Sequence, residues 1–116
     1  MIRYIGVEVT TDADGAGTVT AGPVNGKILE VSCPGTAWSS TADFTITRTA
    51  TFGGTILAVT DKQVPWWYQP RAVPCTVAGV AITNGESLIP CDGNIQVVLA
   101  QAGSVITDTV YVTYEC

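Results

Sequence analysis

The sequence predicts an all-β protein, a single antiparallel β-sandwich of about seven to eight strands. Three observations lead to this prediction. Apolar residues recur at every second position in several segments, glycine-containing turn pairs separate these segments at short intervals, and no window of helical length shows a clean helical period. The sandwich is expected to be Ig-like or jelly-roll-like in architecture only, because the Cys, Trp and Cys of an immunoglobulin core are not in place. With 116 residues, the chain is expected to form one domain, 1–116.

Three segments alternate between apolar and polar residues, as half-buried strands do. They are RYIGVEVT (3–10), DFTITRT (43–49) and TDTVYVTYE (107–115). In the second of these, Phe44 and Ile46 are expected to point inward. Shorter runs rich in branched residues indicate inner strands, and they are KILEVS (27–32), TILAVT (55–60) and IQVVLA (95–100). A further run, TVAGVAIT (76–83), is weaker because a glycine interrupts it.

Glycine-containing pairs mark the expected turns. Asp14-Gly15, Asn25-Gly26 and Asp92-Gly93 are the type of pair that supplies positive φ in tight hairpins. Each is therefore predicted to connect two strands.

The charge pattern argues against nucleic acid and membrane as partners. The net charge is −5, and the five basic residues are widely spaced, whereas nucleic-acid binding needs a concentrated basic face. No segment reaches the length of a transmembrane helix. The first ten residues alternate like a strand and show no signal-peptide core, so the protein is expected to be made and kept in a cytoplasm.

The cysteine and aspartate patterns predict neither a metal site nor a cofactor. Four cysteines occur without a CxxC pair, so a zinc site is not expected, and buried thiols are the favoured interpretation. A bridge between Cys75 and Cys91 and a late cross-link through Cys116 remain open. Asp12 and Asp14 in TDADGAG resemble the start of a calcium loop, but the later ligands are missing, so this stretch is interpreted as a hairpin turn.

Histidine and the common nucleotide-binding motifs of enzymes are also missing, and the ten scattered acids form no recognisable catalytic pair. The sequence has no histidine, which removes histidine-based triads, Cys-His pairs and histidine-ligated metals. It contains neither a phosphate-binding P-loop nor a dinucleotide-binding glycine motif. The chain is therefore predicted not to be an enzyme, and binding is the expected function.

The best candidate for binding is the proline-rich segment 61–75, which contains QVPWWYQPRAVPC and is expected to be irregular. Trp66, Trp67, Tyr68 and Arg71 are residue types enriched at interface hot spots. Adjacent side chains of an extended segment point to opposite sides, so one tryptophan is expected in the core and the other outside, with Tyr68 and Arg71 beside the outer one. Two alternatives remain, in which the rings only close one end of the core or form a platform for a sugar.

Two longer stretches, TADFTITRTATFGGTILAVTDKQVPWWYQPR and IPCDGNIQVVLAQAGSVITDTVYVTYE, resemble small proteins encoded in the structural gene clusters of tailed bacteriophages. In those proteins a DFTITRT-like strand precedes a TILAVT-like strand and a WYQPR-like loop, and a DGNIQVVLA-like hairpin ends the chain. The resemblance covers nearly the whole chain in spacing and order.

The resemblance implies a virion component of the capsid decoration, or cement, type. Such a protein would be made in the host cytoplasm, would lie on the capsid surface as a homo-oligomer, and would bind and stabilise the shell of major capsid protein. Because WYQPR matches the loop of those proteins, the resemblance also implies that the aromatic loop is the region that contacts the capsid. The alternatives are a tail or baseplate structural module and a carbohydrate-binding module that uses Trp66, Trp67 and Tyr68.

Overall fold

The structure, a computed structural model, describes residues 1–38, 41–49, 54–62, 65–72 and 87–116. These residues form eight strands and no helix: β1 (Ile2–Thr10), β2 (Gly17–Cys33), β3 (Asp43–Arg48), β4 (Gly54–Val59), β5 (Trp66–Tyr68), β6 (Arg71–Ala72), β7 (Ser87–Ala100) and β8 (Thr107–Glu115). Every strand pairing is antiparallel. The predicted all-β class is confirmed. The weak run at 76–83 lies outside the described residues.

The strands form a sandwich because the long strand β2 takes different neighbours along its length. Residues 17–28 of β2 pair with β7, and beyond β7 follow β3 and β4. Residues 27–32 pair with β8, whose other neighbour is β1, and residues 31–33 pair with β5. The two ends of β2 therefore belong to two layers, and the predicted antiparallel sandwich is confirmed.

An irregularity in β2 lies within the part that pairs with β7. The register of β2 against β7 shifts between Ala21 and Val24, at Gly22 and Pro23. Proline has no backbone N–H to give to a ladder, and a bulge adds local bend and twist to a strand. A second register shift, between Ile28 and Glu30 against β8, lies where β2 changes its partner from β7 to β8.

Two predicted turns are wrong, because their residues lie inside strands. Asn25 of β2 is paired with Asp92 of β7, and Gly93 donates its N–H to the Asn25 Oδ1 at 2.9 Å. Gly26 has a φ of 152°, and a Cβ at this position would collide with the carbonyl oxygen of Glu115. The glycine therefore allows a close approach of two backbones rather than a reversal of the chain.

A turn is present at Asp14-Gly15, as predicted, but it is not the predicted hairpin, because the strands it connects, β1 and β2, do not pair with each other. Gly15 has a φ of 78°, which suits glycine. The Asp12 Oδ1 accepts hydrogen bonds from the backbone N–H groups of Asp14 (2.9 Å) and Ala16 (3.0 Å). The aspartate that resembled a calcium ligand thus stabilises the turn itself.

Buried apolar residues from both layers form one cluster. Those of β1 and β8 are Val7, Val9, Val110 and Val112, and those of β3 and β7 include Phe44, Ile46, Ile95, Val97 and Leu99. The predicted inward direction of Phe44 and Ile46 is confirmed. Because period-two alternation puts one face of each strand against this cluster, the other face is left for solvent or a partner.

In the described part of the chain, there is no helix with the length and apolar character needed to span a membrane.

Candidate functional site

The aromatic segment contains two short strands where an irregular segment over 61–75 was predicted. Residues 66–68 form β5, which pairs with the end of β2, and residues 71–72 form β6, which pairs with β7. The prediction is wrong for these residues because flanking prolines do not prevent a three-residue strand from pairing between them. Pro65 and Pro70 lie just outside β5, where no ladder N–H is required. Residues 63–64 and 73–75 lie outside the described part.

The two adjacent tryptophans point to opposite sides of β5. Trp66 is only 3% exposed and belongs to the core cluster, whereas Trp67 is 70% exposed. The predicted division into one inner and one outer tryptophan is confirmed. The pairing with β2 decides the direction, because Trp66 lies opposite the buried Cys33 and Trp67 lies opposite Ser32.

Trp66 belongs to a series of four rings, Trp38, Phe44, Trp66 and Tyr68, here called the aromatic cluster. Successive ring centroids are 5.5 Å, 5.0 Å and 5.5 Å apart. The first two contacts are edge-to-face, a favourable geometry for aromatic pairs. The buried indole nitrogens of Trp38 and Trp66 have no hydrogen-bond partner among the residues described. Ring packing therefore holds the cluster together, and Trp38 is a member that the sequence did not indicate.

Tyr68 lies on the same side of β5 as Trp66, not beside Trp67. It is half-buried, packs against the ring of Trp66, and has the Lys62 Nζ 5.6 Å from its ring centroid. The structure thus separates Tyr68 from the outer tryptophan beside which the sequence prediction placed it. The four residues 65–68 and Lys62 line a pocket of about 200 Å³, in which Tyr68 still has an accessible edge.

Arg71 is exposed at the start of β6, where it is paired with Leu88 of β7. Its Nη1 donates a hydrogen bond to the carbonyl oxygen of Pro70 at 3.0 Å. One such bond leaves further guanidinium N–H groups for another acceptor. Of the four predicted contact residues, Trp67 and Arg71 are therefore exposed, Tyr68 is partly accessible, and Trp66 is inside.

Two of the described cysteines, Cys33 and Cys91, are poorly suited to act as nucleophiles. Cys33 and Cys91 are buried free thiols, which confirms the buried-thiol prediction for these two. Burial raises the pKa of Cys33 to about 12, with a further contribution from the Asp108 carboxylate, and burial also raises the pKa of Cys91. A protonated thiol is a poor nucleophile and a poor metal ligand. Cys116 is exposed, and Cys75 lies outside the described residues.

Metal-ligand types do not converge in the described ranges either. No group of three or more Cys, Asp or Glu side chains there is placed to hold an ion. The region around β5 therefore offers apolar area, aromatic ring faces and the positive charges of Lys62 and Arg71. These features suit binding.

Comparison of the chain with protein-family models, with curated proteins and with solved structures finds no match.

Proposed function

We propose that the chain is a non-enzymatic structural protein of a tailed-phage virion, of the capsid decoration type, which binds the major capsid protein through Trp67. The observation that carries the proposal is the exposure of this tryptophan. Trp67 is 70% exposed on a strand whose neighbouring tryptophan is held in the core. A large exposed ring on a fixed backbone is the arrangement expected of an interface anchor.

The strand β5 reduces the cost of using Trp67 as an anchor. Trp66 and Tyr68 on either side pack against each other and into the aromatic cluster, and the backbone of β5 is paired with β2. The ring of Trp67 is thus carried by a backbone that is ordered before any partner arrives. Binding then loses less conformational entropy than it would with a free loop.

Arg71 is the second group assigned to the interface. It is exposed, and its planar guanidinium reaches carboxylates or carbonyl oxygens in a way that an ammonium group does not. We assign Tyr68 a smaller part, through the ring edge that remains accessible.

The phage assignment is supported by the resemblance of the DFTITRT, TILAVT, WYQPR and DGNIQVVLA segments to virion proteins. Their arrangement is compatible with such a role, since β3, β4, β5 and β7 all belong to the one sandwich, with β5 joined to it through β2. A decoration protein needs a rigid domain with an exposed contact surface and no chemistry. On this proposal the chain lies on the capsid surface as copies of itself bound to the shell.

The test is the location of the protein in separated heads and tails, combined with the Trp67→Ala variant. Mass spectrometry of purified heads should find the wild-type chain, and Trp67→Ala should bind shells that lack the protein about 30-fold more weakly. Val105→Ala is the matched control, because it also removes an exposed apolar side chain but lies between β7 and β8. It should bind as the wild type does. Recovery of the chain with tails, or full binding by a folded Trp67→Ala variant, would contradict the proposal.

A further inference from the structure

Trp67 is one end of a row of side chains that crosses four strands. Ser32 of β2 is paired with Trp67 of β5 on one side and with Tyr111 of β8 on the other, and Tyr111 is paired with Gly6 of β1. Residues paired in this way point to the same face of a sheet. Trp67 and Tyr111 therefore both project from the outer face, with only the small side chain of Ser32 between them.

A third ring, that of Tyr4, belongs to the same face. Tyr4 precedes Gly6 by two residues on β1, so it points to the same side, and it is 72% exposed. Its ring centroid is 6.1 Å from that of Tyr111. The Tyr111 ring itself lies against Gly6, where a Cβ would be 3.1 Å from the Tyr111 Cε1. The glycine makes room for this ring, and Tyr4, Tyr111 and Trp67 together form what we call the aromatic face.

Carboxylates flank the aromatic face. Glu30 of β2 is paired with Thr113 of β8, which is paired with Tyr4, so Glu30 projects from the same side of the sheet. Glu8 is paired with Thr109 and follows Gly6 by two residues, which gives it the same direction. No base lies opposite either residue in the register.

A third carboxylate, Glu115, lies opposite Lys27 at the end of the same sheet. Opposite charges thus face each other across these two strands. Glu8 and Glu30 have no base opposite them, so the part of the aromatic face on β1, β8 and β2 is acidic, whereas Arg71 follows the Trp67 strand in the chain.

We infer that the aromatic face is the surface with which this chain docks, and that its occupant is a protein surface presenting arginine or lysine side chains. This inference rests on the proposed function and names the chemistry of the partner. Cationic groups bind over the faces of tryptophan and tyrosine rings, and arginine does so while pairing with a neighbouring carboxylate. Rings and carboxylates that alternate on one exposed face supply both interactions.

The charge of the face also argues against other occupants. An acidic protein surface or a nucleic acid would place negative charge against Glu8 and Glu30, and such like-charge contacts are unfavourable. A neutral sugar could stack on the rings and donate hydroxyl hydrogen bonds to the carboxylates, but it carries no positive charge to balance them. A basic protein surface is the occupant that combines ring contacts with opposite charge at Glu8 and Glu30.

The experiment measures binding of purified variants to shells that lack the protein, by co-sedimentation at low and at high salt. Tyr4→Ser should weaken binding about tenfold, as should Tyr111→Ser, because each removes one ring of the face. Glu8→Lys combined with Glu30→Lys should weaken binding at least as much at low salt and less at high salt, where charge is screened. Val105→Ser and Asp14→Lys are the matched controls, since both positions are exposed and lie outside the strands that carry the face. They should bind within about twofold of the wild type.

The outcomes separate this inference from the proposed function. If shells bind Tyr4→Ser, Tyr111→Ser and the double charge variant as they bind the wild type, while Trp67→Ala is impaired, the inference fails and the proposed function stands. If shells do not bind the wild type at all, both fail. Quenching of tryptophan fluorescence by chitohexaose or cellohexaose that is lost in Tyr111→Ser, without any loss of shell binding, would overturn the protein occupant in favour of a sugar. Tyr4 is the safer of the two ring positions, because its exposed side chain contributes little to the core.

Discussion

The ring of Trp66 meets the ring of Phe44 edge to face, with centroids 5.0 Å apart and planes inclined by 75°. Phe44 is among the largest fully buried side chains, and its other aromatic neighbour is Trp38. The relationship ties β5 to β3, two strands that do not pair with each other. Trp66 therefore contributes to the core between the layers as well as anchoring its own strand.

Trp66→Ala should destabilise the fold by about 3–5 kcal/mol, because it removes a buried ring and leaves a cavity beside Phe44. Trp67→Ala is the natural control, since it deletes the same side chain one position along on the exposed face, and it should change stability by less than about 0.5 kcal/mol. Urea unfolding of both variants followed by circular dichroism measures the difference. Equal losses of stability would show that both rings serve only the core.

Local alternation was enough to predict β1, β3 and β8 and the division of the two tryptophans, because side-chain direction in an extended chain has a period of two. It missed β5, β6 and the first parts of β2 and β7. It could not decide which tryptophan is inside. That direction depends on the pairing of Trp66 with Cys33, a partner 33 positions earlier in the chain. The spacing of apolar residues does not specify which residues of distant strands pair with each other.

The aromatic face could not be predicted from the sequence for the same reason, since it depends on the pairing of distant strands. Tyr4, Tyr111 and Trp67 come from three distant parts of the sequence, and only the pairing of β1, β8, β2 and β5 brings them to one side. Nothing in the immediate neighbourhood of Tyr4 or Tyr111 distinguishes them from other outward residues of a strand. The candidate site predicted from segment 61–75 therefore contains only one of the three rings of the aromatic face, that of Trp67.

The Asn25-Gly26 pair shows how turn chemistry misleads. The same glycine property, freedom from a Cβ, suits a hairpin turn and a close approach of two backbones. In the structure Gly26 serves the second purpose.

Gly26→Ala should lower stability by about 1–3 kcal/mol. The φ of 152° is unfavourable for alanine, and the new Cβ would meet the backbone carbonyl of Glu115, which cannot move without disturbing the end of β8. Gly54→Ala is a suitable control, because its Cβ would approach the Arg48 Nη2, at the end of a flexible side chain, at 2.8 Å. Urea unfolding should therefore show a larger loss for Gly26→Ala, and equal effects in the two variants would contradict the close-approach explanation.

Cys33 should make stability depend on pH in the alkaline range. Burial, aided by the Asp108 carboxylate, raises the pKa of its thiol from 9.0 to about 12 in the folded chain. The folded state then binds this proton more tightly than the unfolded state does. The contribution of this proton to the free energy of unfolding is fully present below about pH 9 and is lost as the pH rises towards the pKa of the folded state.

The free energy of unfolding, measured with urea between about pH 8 and pH 11, should therefore fall more steeply for the wild type than for Cys33→Ala. Cys116→Ala, which removes an exposed thiol, should follow the wild type. Parallel curves for the wild type and Cys33→Ala would show that ionisation of Cys33 does not limit the alkaline stability of the sandwich.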